Sequence, residues 1–152
     1  MSVRQRIRAL LRASLLGWAT GVIAGLPFQI IEGVRNAGMS SRLLAYDLGM
    51  VLVLWCALTF AMAFYWCGCF LLPVVWLASA AWTLRHRRSW IAVSAVFGVL
   101  LMAVRLHVWT AYEHDGIGLI NFWMWAVFAA AFFLSTSALY ARFLRTAATT
   151  VA

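Results

Sequence analysis

The sequence predicts an all-α membrane protein, a polytopic bundle of transmembrane helices. Hydrophobic residues make up 66% of the 152-residue chain and charged residues only 11%, a composition that supplies too little polar surface for folding in water. The apolar residues fall into about five long segments, most of them close to the length that crosses a bilayer. The polar connections between these segments are short, so we expect residues 1–152 to form a single membrane domain.

The first element is a basic amphipathic helix over residues 1–12, which we expect at the membrane surface. Arg4, Arg8 and Arg12 fall on one helical face and aliphatic side chains fall on another. An apolar segment follows at 13–31, and Pro27 within it predicts a kink or a helix end. A basic stretch before an apolar one resembles a signal peptide, but no convincing cleavage site follows, so we expect the segment to be retained.

The segment 13–31 carries a stripe of glycines at four-residue spacing, namely Gly17, Gly21 and Gly25. Glycines at this spacing make a smooth groove along one face of a helix, which another helix can approach closely. Such a groove serves packing within the chain first, and contact with a partner or with lipid second. The sequence leaves open whether this segment spans the bilayer or is re-entrant.

Four further segments, 43–66, 70–84, 90–112 and 117–141, are predicted to cross the membrane. The first two adjoin each other and together would form a helix of about 60 Å, twice the roughly 30 Å thickness of the hydrocarbon core. The chain must therefore turn within them. Cys67-Gly68-Cys69 is the predicted turn, because Gly68 favours a break and Pro73 is suited to begin the next helix.

The charge pattern predicts a membrane location and argues against nucleic-acid binding. All twelve basic residues are arginine, and the formal net charge is +8. The arginines flank apolar segments instead of forming a basic patch on a soluble face. The complete lack of lysine is typical of a GC-rich bacterial genome. By the positive-inside rule, the arginine-rich connections and the C-terminus are expected on the cytoplasmic side of a bacterial inner membrane.

Cys67 and Cys69 are the most suggestive pair for chemistry. Two nearby thiols can form a redox couple, as in membrane thiol oxidases, but those enzymes generally use a second cysteine pair. Cysteine is also a common small apolar residue in membrane helices. Two thiolates alone do not make a zinc site, and the sequence offers no other metal, cofactor or catalytic constellation.

Arg105 is the one arginine predicted inside a span. Trp109 follows it by one helical turn, so the guanidinium can stack on the indole, extend towards the headgroups, or recognise a lipid or a partner. Arg105, Trp109 and the three glycines are therefore the candidate contact residues for a partner or for lipid.

These features predict a non-enzymatic protein that acts by binding another membrane component. Besides the lipid bilayer, we expect a membrane-protein partner or a second copy of the chain. Two biological forms fit, a small accessory subunit of a membrane complex and an immunity-type protein against a membrane-acting toxin. The alternatives are a membrane thiol oxidoreductase that uses Cys67 and Cys69, and an oligomeric channel or transporter.

Overall fold

The computed structural model describes residues 2–36, 41–112 and 119–149, with side chains except at 32, 33, 35, 36, 41–48, 105–112 and 119–122. This part of the chain is helical and contains no strand, which confirms the all-α prediction. Its elements are α1 (Val3–Asn36), α2 (Ser41–Trp66), a π-helical segment (Cys67–Leu71), α3 (Leu72–Leu77), α4 (Ala80–Arg85), α5 (Arg87–Tyr112) and α6 (Leu119–Thr149).

Four helical segments in the described ranges are long and apolar enough to cross a membrane. They are Val3–Ile31, Gly49–Leu77, Arg87–Val104 and Trp123–Thr149. A helix satisfies its own backbone hydrogen bonds, which is the condition for crossing hydrocarbon. The chain therefore has the architecture of a multi-pass helical membrane bundle, with spans divided differently from the sequence prediction.

The first span is one continuous helix. α1 runs from Val3 to Asn36 and continues through Pro27, so the predicted helix end at this proline is wrong and the predicted kink stays a prediction. The proline lacks an N–H and costs one hydrogen bond, which membrane helices tolerate. The basic stretch 1–12 is the beginning of the same helix. Because α1 does not fold back, the first apolar segment has the form of a span and not of a re-entrant loop.

The predicted turn at Cys67-Gly68-Cys69 is also wrong, because the helix continues through it as a π-helical segment. The backbone N–H of Leu72 donates to the carbonyl of Cys67, five residues earlier. Pro73 has no N–H to close the ordinary α-helical bond to the carbonyl of Cys69. The π-helical turn that results contains one residue more than an α-helical turn and is correspondingly wider. Segments 43–66 and 70–84 therefore do not make two crossings.

The chain leaves the second span eleven residues beyond Cys67. Ala78 is extended, with φ −79° and ψ 131°, and ends α3. Ser79 caps the beginning of α4, and its hydroxyl accepts a hydrogen bond from the Trp82 backbone N–H at 3.1 Å. α4 is six residues long, too short to cross the bilayer. His86 then separates α4 from α5.

Consecutive spans run antiparallel, and α6 lies at the centre of the bundle. Gly17 faces Thr136 and Gly21 faces Phe128, so α1 and α6 point in opposite directions. The apolar stretch of α6 is 56% buried inside the protein, whereas that of α5 is only 17% buried. α6 is therefore the central helix, and α5 is peripheral.

The core is largely aromatic. Trp66 packs its ring centroid 5.4–5.9 Å from those of three fully buried side chains of α6, Phe128, Phe132 and Phe133.

This arrangement places the beginning of α1, the α3–α5 connection and the end of α6 at one end of the bundle, which we call the arginine end. All nine arginines whose side chains the structure describes belong to the helical segments at this end. They are Arg4, Arg6, Arg8, Arg12, Arg85, Arg87, Arg88, Arg142 and Arg145.

Candidate functional site

A cavity of about 270 Å³ lies between α1 and the second span. Four residues of α1 and four of the second span line it, each set covering about two helical turns. They are Leu11, Ser14, Leu15 and Trp18, and Phe60, Ala63, Phe64 and Cys67. Because α1 and α2 are antiparallel, Leu11 and Cys67 lie nearest the arginine end, and Trp18 and Phe60 lie deepest.

The floor of the cavity is buried and its rim is exposed. Ser14, Ala63 and Cys67 form the floor, where the Ser14 hydroxyl donates to the Cys67 sulfur at 3.3 Å. Leu15 and Phe64 form the rim, with 54% and 65% of their surface exposed. The cavity therefore opens sideways, in the direction that lipid occupies around a membrane bundle. The two polar side chains in its lining already bond to each other.

The deep end of the cavity is held rigidly by a hydrogen-bonded pair. The indole N–H of Trp18 donates to the Thr59 hydroxyl at 3.1 Å, and that hydroxyl donates to the Trp55 carbonyl at 2.7 Å. The Trp18 ring also meets Phe60 edge to face, with centroids 5.3 Å apart. These contacts fix the indole, so the cavity ends in a defined apolar wall.

The cysteines do not form a thiol pair. Cys67 is buried in the cavity floor, Cys69 is exposed, Cys56 is half-buried, and all three are free. The side chains of Cys67 and Cys69 thus emerge in different environments, although only one residue separates them. The described residues contain no group of three or more histidine, cysteine or acidic side chains that would hold a metal ion.

The predicted glycine groove is filled by the chain itself. A Cβ atom at Gly17 would collide with the Thr136 hydroxyl, and one at Gly25 would lie 2.5 Å from Trp55 Cζ2. At Gly21 the nearest atom would be Phe128 Cδ2, at 2.8 Å. The prediction that a helix approaches closely here is confirmed, by α6 at Gly17 and Gly21 and by Trp55 of α2 at Gly25. Any partner or lipid would have to displace α6 or Trp55 to reach these glycines.

Arg105 and Trp109 lie within α5, and their side chains are outside the described part of the structure. Their predicted contact with a partner or with lipid stays a prediction.

Arg6 holds α1 against the end of α3, a role that the sequence did not predict. Its Nη1 donates to the carbonyl of Val75 at 3.0 Å and to the carbonyl of Ala78. These carbonyls lie at the end of α3, where the partial negative charge of the helix favours a cation. Arg6 thereby ties α1 to the break between α3 and α4. The one available signal was that Arg6 falls off the face shared by Arg4 and Arg8.

The fold and the cavity define a multi-pass membrane protein with a lateral apolar site. Comparison of this chain with known protein families, curated proteins and solved structures finds no match. The residues of the cavity and the charges around it therefore provide the basis for a functional proposal.

Proposed function

We propose that this protein binds another membrane component through the cavity between α1 and α2 and catalyses no reaction. The supporting observation is that the cavity opens sideways and is apolar, with its polar side chains Ser14 and Cys67 already paired. A site of this kind suits an apolar group that arrives in the plane of the bilayer. It offers no polar groups for orienting a reacting substrate.

We further propose that the protein resides in a bacterial inner membrane with the arginine end in the cytoplasm. The positive-inside rule supports this orientation, since nine arginines belong to that end. The arginine-only basic composition supports the bacterial origin. With four crossings, the N-terminus and the C-terminus are both cytoplasmic.

Two biological forms of this function fit the site. As an accessory subunit, the protein would receive an apolar element of a larger membrane complex in its cavity. As an immunity-type protein, it would receive an apolar element of a membrane-acting toxin in the same cavity.

The thiol oxidoreductase alternative is less well supported, because Cys67 is buried whereas Cys69 is exposed. The channel alternative depends on Arg105 and Asp47, whose side chains are outside the described part.

Site-specific photocrosslinking in native membranes tests the proposal. A photoactivatable aromatic residue replaces Phe64 at the cavity rim, or Val93 on α5 as the control. The two positions are matched, since they are 65% and 66% exposed. We expect a discrete adduct at position 64 that persists when excess lipid dilutes the membranes. Position 93 should yield only adducts that follow the bulk lipid, and identical adducts at both positions would refute the proposal.

A further inference from the structure

We infer that the membrane component held in this cavity is an anionic phospholipid, with one acyl chain between α1 and α2 and its headgroup on Arg4 and Arg8. This inference rests on the proposed function and names the chemistry of its ligand. It depends on the shape of the cavity, the positions of the charges and the pairing of the polar atoms.

The cavity has the length and the lining that an acyl chain requires. From Leu11 to Trp18 the rise along α1 is about 10 Å, roughly two-thirds of one leaflet of the hydrocarbon core. Its lining is almost entirely apolar. The Ser14 hydroxyl donates to Cys67, so an alkyl chain in the cavity would leave neither side chain without a partner.

The charge next to the cavity complements an anionic headgroup. Arg8 precedes Leu11 by three residues and Leu15 by seven, which places it on the cavity face of α1. Arg4 continues the same face by one more turn. Both arginines are exposed, and they lie on the headgroup side of the cavity mouth. One face of α1 therefore carries the cavity lining and, nearer the arginine end, two cations. A phospholipid has the matching arrangement, with its acyl chain below its phosphate.

The acidic residues that the described helices place are remote from these arginines. Glu32 lies near the end of α1 and Asp47 near the beginning of α2, both at the opposite end of the bundle. Arg6 already donates to the carbonyls of Val75 and Ala78, so we assign the headgroup to Arg4 and Arg8. A partner helix could fill the cavity but would need acidic groups at its end to match Arg4 and Arg8. An anionic lipid supplies both chemistries in one molecule, so we favour the lipid.

The test uses the full chain reconstituted in phosphatidylcholine vesicles that contain a minor fraction of phosphatidylglycerol. The photoactivatable residue again stands at position 64 or 93, and mass spectrometry identifies the lipid in each adduct. We expect phosphatidylglycerol to be enriched over its bulk fraction at position 64 only. Arg8→Gln should lower this enrichment about fivefold, and the double variant Arg4→Gln/Arg8→Gln should lower it further, since each basic residue near an anionic surface contributes about that factor.

The double variant Arg142→Gln/Arg145→Gln is the matched control, since it removes two exposed arginines of the same end on α6. Its enrichment should stay unchanged. An equal loss of phosphatidylglycerol enrichment in both double variants would indicate that general surface charge attracts the lipid, and would overturn the inference. Enrichment that does not respond to replacement of Arg4 and Arg8 would also overturn it. A protein adduct at position 64 in native membranes would overturn the lipid inference and leave the proposed function standing. Identical adducts at positions 64 and 93 would refute both.

Discussion

Gly21 of α1 lies directly against the ring of Phe128 in α6, with no space for a side chain between them. A Cβ atom at Gly21 would lie 2.8 Å from Cδ2 and 3.1 Å from the Phe128 carbonyl oxygen. The ring itself is fully buried and packs edge to face on Trp55. It therefore has little freedom to withdraw, and this contact sets how closely the two helices approach.

We expect Gly21→Ala to lower the free energy of unfolding by about 1–3 kcal/mol, the usual cost of overpacking a filled interior. Gly49→Ala is the matched control, because nothing lies within 4 Å of a Cβ atom at this helical position. That variant should be neutral or more stable by up to about 1 kcal/mol, from helix propensity alone. Unfolding in detergent micelles, followed by tryptophan fluorescence, measures both. Equal stability of the two variants would contradict the packing described for Gly21.

The Thr59 hydroxyl links α1 to α2 through a second buried contact. It accepts from Trp18 at 3.1 Å and donates to the Trp55 carbonyl at 2.7 Å. Thr59→Val keeps the shape but leaves the indole N–H without an acceptor. We expect a loss of about 1 kcal/mol in unfolding free energy, together with a shift of the tryptophan emission.

Thr20→Val provides the control for the Thr59 variant. Thr20 is exposed, and its hydroxyl donates only to the Leu16 carbonyl of its own helix, at 2.9 Å. Its replacement should change stability by less than about 0.5 kcal/mol. If Thr20→Val proved as costly as Thr59→Val, the linking role of Thr59 would be wrong.

The helical bundle and its glycine contact were predictable from sequence for a physical reason. Lipid provides no hydrogen bonds, so apolar segments of this length have to be helical. The spacing of Gly17, Gly21 and Gly25 holds on any α-helix, whatever its neighbours. The identity of the neighbouring helix was not predictable, because Phe128 lies more than a hundred residues further along the chain.

The turn at Cys67 was mispredicted because Pro73 has two structural solutions. A proline can begin a new helix after a turn, or it can be accommodated within a continuing helix by a π turn. The bonding of Leu72 to the Cys67 carbonyl shows the second solution. Local sequence does not distinguish them, since the choice depends on how the span packs on α1 and α6.

The cavity and the Arg6 contact were missed because both are long-range. The cavity needs two helices to pack at one particular register, and the partners of Arg6 lie 69 and 72 residues away. The amphipathic pattern predicts a membrane-surface location for the arginines of residues 1–12 as a group. This pattern identifies the faces of a helix but not a carbonyl exposed by a break in another helix.

Replacing Arg6 tests whether it stabilises the end of α3. Arg6→Gln removes the cation that bonds to the Val75 and Ala78 carbonyls. We expect a loss of about 1–2 kcal/mol, since hydrogen bonds to a charged group contribute about 1.5–3 kcal/mol and Arg6 is only partly buried. Amide hydrogen exchange should accelerate around 75–80 in this variant. Arg12→Gln, which removes an exposed arginine of the same helix, should leave exchange at 75–80 unchanged.

The two neighbouring thiols should react independently. A membrane-permeable maleimide should label exposed Cys69 faster than buried Cys67, because Cys67 is 6% exposed in the cavity floor. Mass spectrometry after alkylation should find the same labelling with and without prior reduction. A mass that changes on reduction would reveal a disulfide and revive the thiol oxidoreductase alternative.

The topology provides the broadest test of the fold. Four crossings place the N-terminus, the connection before α5 and the C-terminus on one side of the membrane, whereas five would separate the two termini. Single cysteines at Ser2, Ser89 and Thr149, introduced with Cys56, Cys67 and Cys69 replaced by alanine, report the side of each site. An impermeant maleimide should label all three from the same face of sealed vesicles, and in the proposed orientation that face is cytoplasmic. Labelling of Ser2→Cys and Thr149→Cys from opposite faces would contradict the four-span bundle, because antiparallel packing of α1 on α6 requires both termini at the arginine end.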